Sequence, residues 1–215
     1  MRPGDNMKKV IFVDWYRTLS YDDFWEHLKS PDHPRHKYFK ALDECLFVNN
    51  RQLATGPWMR GQITMGEIID KVSHETGISP DIITQETIFS MENMSFCLPN
   101  IRELVKTIQD TGKKVVVATD NMDTFSRYTV PALKLKEIFD GVINSFDVKC
   151  LKDDPDPADK ILFFEDYLSQ NNFTYSDAVL LDDSPDDSGK YEKLGFERKL
   201  IDSPETLEAI LKSYQ

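Results

Sequence analysis

Val10-Ile11-Phe12-Val13 is an unbroken apolar run that ends on an acid, Asp14. β-Branched and aromatic residues in so short a run predict a buried strand. Strands buried on both faces belong to parallel sheets covered by helices on each side. The pattern returns twice: Lys113-Lys114-Val115-Val116-Val117-Ala118 runs into Thr119-Asp120-Asn121, and Ala178-Val179-Leu180-Leu181 runs into Asp182-Asp183. A shorter strand is expected at Gly141-Val142-Ile143-Asn144. Between the runs lie helical stretches, from Pro99 to Asp110, around Thr124 to Leu133, and from Asp159 to Gln170. The first of these places Ile101, Leu104, Val105 and Ile108 on one face. Strand alternating with helix predicts an α/β fold built on a parallel sheet. The C-terminal ends of such strands share one edge, so Asp14, Thr119 and Asp182 are expected to converge.

Residues 21–92 have a different character, aromatic-rich and helical in period, without a convincing strand. Asp22-Asp23-Phe24-Trp25 is expected to cap and begin a helix that Lys29-Ser30-Pro31-Asp32-His33-Pro34 breaks. A second helical stretch is expected over roughly residues 35–49. Thr64 with Glu67 three residues later has the capping-box spacing for a helix ending near Gly77. Ser79-Pro80 then opens another. The expected organisation is a core of residues 1–20 and 93–215, with residues 1–6 as a flexible lead-in, and a helical unit over 21–92.

With 215 residues the chain suffices for one core plus a modest insertion. A formal charge of −11 argues against a nucleic-acid or anionic-membrane partner. No apolar run approaches the ~18–20 residues of a membrane helix, and no signal-peptide stretch opens the sequence. Cys45, Cys97 and Cys150 are odd in number and widely spaced, as buried reduced thiols would be. A cytoplasmic protein, monomeric or homodimeric, is expected.

A carboxylate at a buried strand end is costly to desolvate, so Asp14 needs either a partner or a cation. Thr18 follows it by four residues, Thr119 ends the second strand, Lys152 lies in a later loop, and Asp182-Asp183 end a further strand. This ordered set resembles the motifs of the haloacid dehalogenase (HAD) superfamily of hydrolases. The resemblance covers residues 8–20 and about 93–205, and residues 21–92 fall where many members insert a helical cap. Trp58-Met59-Arg60-Gly61-Gln62-Ile63-Thr64 is similar to cap helices of that family. It implies a Rossmann-like core with an inserted α-helical cap, and Asp14 as a nucleophile that forms a covalent aspartyl intermediate. It further implies a magnesium ion held by Asp14, the backbone carbonyl of Tyr16 and Asp183, with Asp182, Asp186 and Asp187 as neighbouring acids. Thr119 would donate to a phosphoryl oxygen and Lys152 would neutralise charge there, Lys149 being the alternative lysine. Thr18, Asp120 and Asn121 are candidate substrate or loop contacts, although Asp120 and Asn121 could equally cap the next helix. The implied substrate is a small phosphorylated metabolite.

Tyr16 departs from the pattern, because HAD phosphatases carry there a second Asp that serves as acid and base. A phenol, with a pKa of about 10, donates a proton but is a poor base at neutral pH. Asp-x-Tyr-x-Thr-Leu is also similar to motif one of the 2-haloacid dehalogenases, which use no metal. Their acidic motif is similar to Ser-Ser-Asn, however, whereas this chain has Asp182-Asp183-Ser184. Two further carboxylates beside Asp14 would repel a carboxylate substrate unless a cation were bound. A magnesium-dependent phosphatase is therefore expected, with a dehalogenase-like hydrolase and a low-turnover ligand- or partner-binding protein as alternatives. Arg17 stands where the family often has Gly. His33, Arg35, His36 and Lys37 form a basic cluster expected to be a solvated helix face, and Arg60 is a further candidate anion contact.

Overall fold

The computed structural model describes residues 8–158 and 160–215, so the expected lead-in lies outside the described residues. Five strands, β1 (Val10–Val13), β2 (Lys114–Thr119), β3 (Gly141–Asn144), β4 (Ala178–Asp182) and β5 (Glu197–Leu200), form one sheet in the order β3-β2-β1-β4-β5. Every pairing is parallel, and β1 lies at the centre with Val13 opposite both Val117 and Leu181. The five longest helices are α1 (Met65–Thr76), α2 (Pro80–Glu92), α3 (Ile101–Asp110), α4 (Leu162–Gln170) and α5 (Pro204–Lys212).

Alternation along each central strand feeds two hydrophobic layers. Ile11, Val13, Val115, Val117, Val179 and Leu181 pack with Leu104, Val105 and Ile108 of α3 and Leu207 and Leu211 of α5. Val10, Phe12, Val116, Ala118, Ala178 and Leu180 point the other way, toward Phe163, Phe164 and Leu168 of α4 with Tyr191 and Phe196. Phe12 sits 4.6 Å from Phe164 and 5.9 Å from Phe196, ring to ring. A fully buried side chain of this size contributes about 1.5–3 kcal/mol, so the sheet is held from both faces.

Between β1 and α3 the chain forms helical turns and two full helices, α1 and α2. These elements enclose a third hydrophobic cluster that includes Trp25, Leu28, Leu42, Trp58, Ile68, Val72 and Ile83. The capping box expected at the start of α1 is present: the Thr64 amide donates to Glu67 Oε2 at 2.8 Å. Pro80 opens α2 as expected. The helix expected from Asp22 does not form there. Trp25 is left-handed (φ 56°), and only a short helix, Glu26–Lys29, follows. Trp25 is instead fixed by burial and by its indole donating to Thr87 Oγ1 at 3.1 Å.

The two necks of this insertion are tied together. The Cys97 amide donates to the Leu19 carbonyl at 2.9 Å, and Ser95 donates through its amide and hydroxyl to Asp22. A third attachment lies midway. Buried Asp123, which follows β2, accepts from the Trp58 indole at 2.8 Å and the Met65 amide at 3.2 Å. Close by, Gly61 (φ 63°) lies so near the Phe146 carbonyl that a Cβ would sit 2.4 Å from it. No helix among the described residues is long and apolar enough to cross a membrane.

Candidate active site

Parallel strands deliver their C-terminal ends to one edge, and there the chain places its acids. Asp14 leaves β1, Thr119 ends β2 and Asp182 ends β4. A cavity of about 240 Å³ opens between them, lined by Asp14, Tyr16, Asp120, Lys152, Asp153, Asp182, Asp183, Ser184 and Arg198.

Lys152, in the loop after β3, is the hub. Its Nζ lies 2.8 Å from Asp14 Oδ1 and 2.5 Å from Asp182 Oδ2, with all three side chains buried. Its amide donates to Asp120 Oδ1 at 3.0 Å, and its carbonyl accepts from the Tyr191 hydroxyl at 2.9 Å. The alternative lysine is placed elsewhere. Lys149 is left-handed (φ 65°), and its Nζ reaches the Gly61 carbonyl at 3.3 Å over the Phe146 ring. Among the two lysines, Lys152 alone meets the Asp14 carboxylate.

Electrostatics at this edge set burial against pairing. Burial raises Asp14 to about 7 despite Lys152, and raises Asp120 to about 6. At Asp182 burial also pushes upward, but Lys152 and Arg198 outweigh it and hold the carboxyl below its ordinary range. Lys152 is driven in the cationic direction, because Asp14, Asp182 and Asp120 outweigh its burial.

Arg198 is a site residue that the sequence reading missed. It lies on β5, a strand also missed, because Glu197-Arg198-Lys199-Leu200 has no apolar run to signal one. Its buried guanidinium donates to Asp182 Oδ1 at 3.0 Å and to Asp153 Oδ1 at 3.0 Å. Ser184 completes the Asp182 shell, donating its amide to Oδ1 at 2.9 Å.

The carboxylates of Asp14, Asp182 and Asp183 each offer an oxygen within 4.8 Å of the others. Two unit charges at that separation repel by about 3–4 kcal/mol at an effective dielectric near 20. Five acids line the cavity against two cations, Lys152 and Arg198. An oxygen-rich, net-negative pocket of this kind has the donor set of a hard divalent ion such as magnesium. Thr18 and Thr119 add a second signature: both Oγ1 atoms are buried without a hydrogen-bond partner. Buried hydroxyls are rarely left so, and unpaired donors suit an anionic ligand, although neither threonine is among the residues that line the cavity.

Other expected site residues fall away from the cavity. Asp187 is neither among its lining residues nor among the acids that could share an ion with Asp14, since the turn after β4 carries it onward. Asp186, in the same turn, accepts from the Lys190 amide at 3.1 Å. Asn121 is buried in local bonding, its amide donating to Ser145 Oγ at 2.9 Å and its Oδ1 accepting from the Met122 amide. Arg60 does not present a free cation, because Asp154 takes both its Nε, at 2.9 Å, and its Nη2. The basic cluster of the insertion is solvated only in part: His36 and Lys37 are exposed, whereas Arg35 pairs with buried Glu86.

Tyr16 lines the cavity while its hydroxyl donates to Asp23 Oδ1 at 2.9 Å. Burial and this bond raise its pKa, so the phenol stays protonated. Arg17 occupies the left-handed region (φ 58°) that favours glycine, and its guanidinium lies 5.4 Å from the Tyr16 ring centre. The loop after Asp14 thus keeps a glycine-like turn while carrying a cation.

Comparison with solved structures finds the same fold. A HAD family enzyme from Bacteroides thetaiotaomicron, solved with magnesium and inorganic phosphate, aligns with a TM-score of 0.61 at 14% identity, over 90% of this chain and 93% of that one. A predicted HAD-like family hydrolase from Porphyromonas gingivalis gives 0.62 at 12% identity, over 92% and 93%. The L-2-haloacid dehalogenase of Xanthobacter autotrophicus, with chloropropionic acid covalently bound, gives 0.60 at 13% identity, over 93% and 80%. No curated protein matches by sequence. A family profile does, spanning residues 62–197, most of the core and the later part of the insertion. With that match, and with the sheet order and strand-end acids described above, the chain belongs to the haloacid dehalogenase-like hydrolases.

Proposed function

We propose that the protein is a magnesium-dependent phosphatase of small phosphorylated metabolites, working through an aspartyl-phosphate on Asp14. One observation carries the reading: Asp14, Asp182 and Asp183 converge within 4.8 Å in a cavity whose acids outnumber its cations. Asp14, Asp183 and the Tyr16 carbonyl would hold the ion, which when bound offsets the charge between nucleophile and phosphoryl group. Asp182, whose oxygens are engaged by Lys152, Arg198 and Ser184, positions the lysine.

The chain's own groups then divide the work. Asp14 Oδ attacks phosphorus as the bond to the leaving oxygen breaks. Lys152 keeps Asp14 oriented and neutralises charge accumulating on the transferring group. Thr119 and Thr18, each with an unpaired buried hydroxyl, are donors for phosphoryl oxygens. Asp120 fixes the Lys152 loop through its backbone amide. Tyr16 can protonate a leaving oxygen, but its raised pKa keeps the phenol protonated at neutral pH, so little phenolate is present to take a proton from water. General acid–base catalysis contributes ~10²–10⁴-fold, so hydrolysis of the intermediate is slowed by up to that order. The helical insertion, attached at its necks and at Asp123, serves as the cap that shields the intermediate from bulk water.

Magnesium-dependent phosphate release from para-nitrophenyl phosphate, lost in Asp14→Asn, tests the reading. A second reading is favoured by Tyr16 alone: a 2-haloacid dehalogenase-like hydrolase would release chloride from 2-chloropropionate without metal. A protein that turns over neither, yet binds phosphate esters, would be a ligand-binding member of the family.

A further inference from the structure

Three of the chain's four histidines, His27, His33 and His36, fall within ten residues of one another in the insertion. Two of them gather near one carboxylate. His27, in the short helix Glu26–Lys29, places Nε2 2.6 Å from Oε2 of Glu86, a residue of α2. His33, from the turn that follows, brings its ring to 5.3 Å from the His27 ring at 78°. One ligating atom from each of His27, His33 and Glu86 lies within 4.8 Å of the other two.

We propose that His27, His33 and Glu86 form a second metal site, separate from the strand-end acids, that binds a zinc-like transition ion. The donor set decides the class. Two imidazole nitrogens and one carboxylate oxygen suit zinc and its first-row neighbours, whereas magnesium and calcium prefer oxygen alone. Zinc holds such ligands at about 2.0–2.2 Å, so the three side chains need only close around a common centre. Glu86 is buried, with 6% of its surface exposed, and its far oxygen Oε1 accepts from Arg35 Nη1 at 2.5 Å. Arg35 is itself steadied by Gln85 Oε1 at 2.9 Å. That is the arrangement of an outer-shell partner orienting a ligating carboxylate.

The His33 imidazole is more loosely held than that of His27. His33 Nδ1 accepts a long bond, 3.2 Å, from the Arg35 amide, a contact that an ion could rearrange at little cost. Both His27 and His33 are only partly buried, which leaves an approach from solvent. A hydrogen-bonded pair of Glu86 with His27 and Arg35 would satisfy the buried carboxylate without His33. The second imidazole is what an ion would use. Because the three ligands come from separate segments, a bound ion would staple the start of the insertion to α2. The site does not depend on which reaction Asp14 performs.

The test is zinc binding by the full-length protein, followed by calorimetry with magnesium in excess to fill the strand-end acids. One zinc per chain is expected, with a rise in melting temperature. His33→Ala and His27→Gln should each weaken zinc affinity at least ~tenfold, the loss that follows even from removing outer-shell partners of metal sites. His74→Ala should not, and circular dichroism checks that each variant is folded. His33 is partly exposed, so its variant remains informative if His27→Gln unfolds. Absence of zinc binding by the wild type, or binding unchanged in His33→Ala, overturns the proposal, and Glu86 is then an ion-pair centre only. Zinc lost in Asp183→Asn but retained in His33→Ala overturns it too, by placing the ion at the strand ends.

Discussion

The Tyr16 hydroxyl donates to Asp23 Oδ1 at 2.9 Å, and so ties the loop that carries Asp14 to the first residues of the insertion. Asp23 is anchored in turn by Lys29 Nζ at 3.0 Å. Restoring a carboxylate with Tyr16→Asp should raise para-nitrophenyl phosphate turnover, by no more than the ~10²–10⁴-fold that acid–base catalysis supplies. The gain should fall short of that range, because the link to Asp23 is lost with the phenol. Tyr16→Phe should lower turnover. Activity kept in Tyr16→Phe but lost in Tyr16→Asp would make the side chain an element of pocket shape.

Arg198 bridges Asp182 and Asp153 from β5. Replacing it with Met leaves Asp182 with one cation in a buried setting, and breaking such a pair costs about 3–5 kcal/mol. Urea denaturation should show that loss. Arg198→Lys should recover only part of it, since an ammonium cannot span both carboxylates as a guanidinium fork does. A cost below about 1 kcal/mol for the Met variant would mean that solvent already screens the pair.

Without metal, stability should fall as pH rises from about 5 to about 7, above the range in which the carboxylates with lowered pKa titrate. Burial lifts Asp14 from 3.8 to about 7 and Asp120 to about 6. In that window the unfolded chain has released protons that the folded one retains, so each rise in pH favours unfolding. The slope per group is at most about 1.4 kcal/mol per pH unit. Asp182 shifts downward, so its contribution is present above 3.8 and is lost only at lower pH. Melting curves in chelator, from about pH 5 to about pH 8, should show the decline, and Asp14→Asn should flatten it. Magnesium should raise the melting temperature most at the alkaline end. A melting temperature that climbs across this window would refute the assignment.

Arg60 and Asp154 join the insertion to the Lys152 loop. Arg60→Ala should cost about 1 kcal/mol, the scale of a charged hydrogen bond discounted for partial exposure. It should also raise KM more than it lowers kcat. The double variant with Asp154→Ala should be no worse than either single change, which a double-mutant cycle would check.

Much of this architecture can be read from residue order because β1, β2 and β4 are apolar on both faces, and such runs have few other stable placements. Their terminal residues then locate the site. Strand β5 is invisible by the same logic: an edge strand needs no apolar run, and with it Arg198 was lost. Lys152 and Lys149 are equal on paper. Only the left-handed turn at Lys149 and its contact with Gly61 separate them. Trp25 likewise reads as helical, yet burial against Ser90 and Thr87 outweighs its local preference. Sequence spacing alone could not show Asp187 carried past the cavity.

The place of β1 at the centre of the sheet also bears on how the chain is made. Val10 pairs with Lys114 on one side and with Ala178 on the other, so the sheet's earliest strand in chain order waits for both its neighbours. Until they emerge, an apolar strand with two open edges is the segment most exposed to misassociation. The insertion shortens that wait in the physical sense, because it packs largely around its own cluster of Trp25, Trp58 and Ile68 and draws its necks together at Leu19 and Cys97. A pre-folded loop of this kind removes closure entropy that a disordered one would still carry. With Leu19 held beside Cys97, the loop that must close before β1 meets β2 is short.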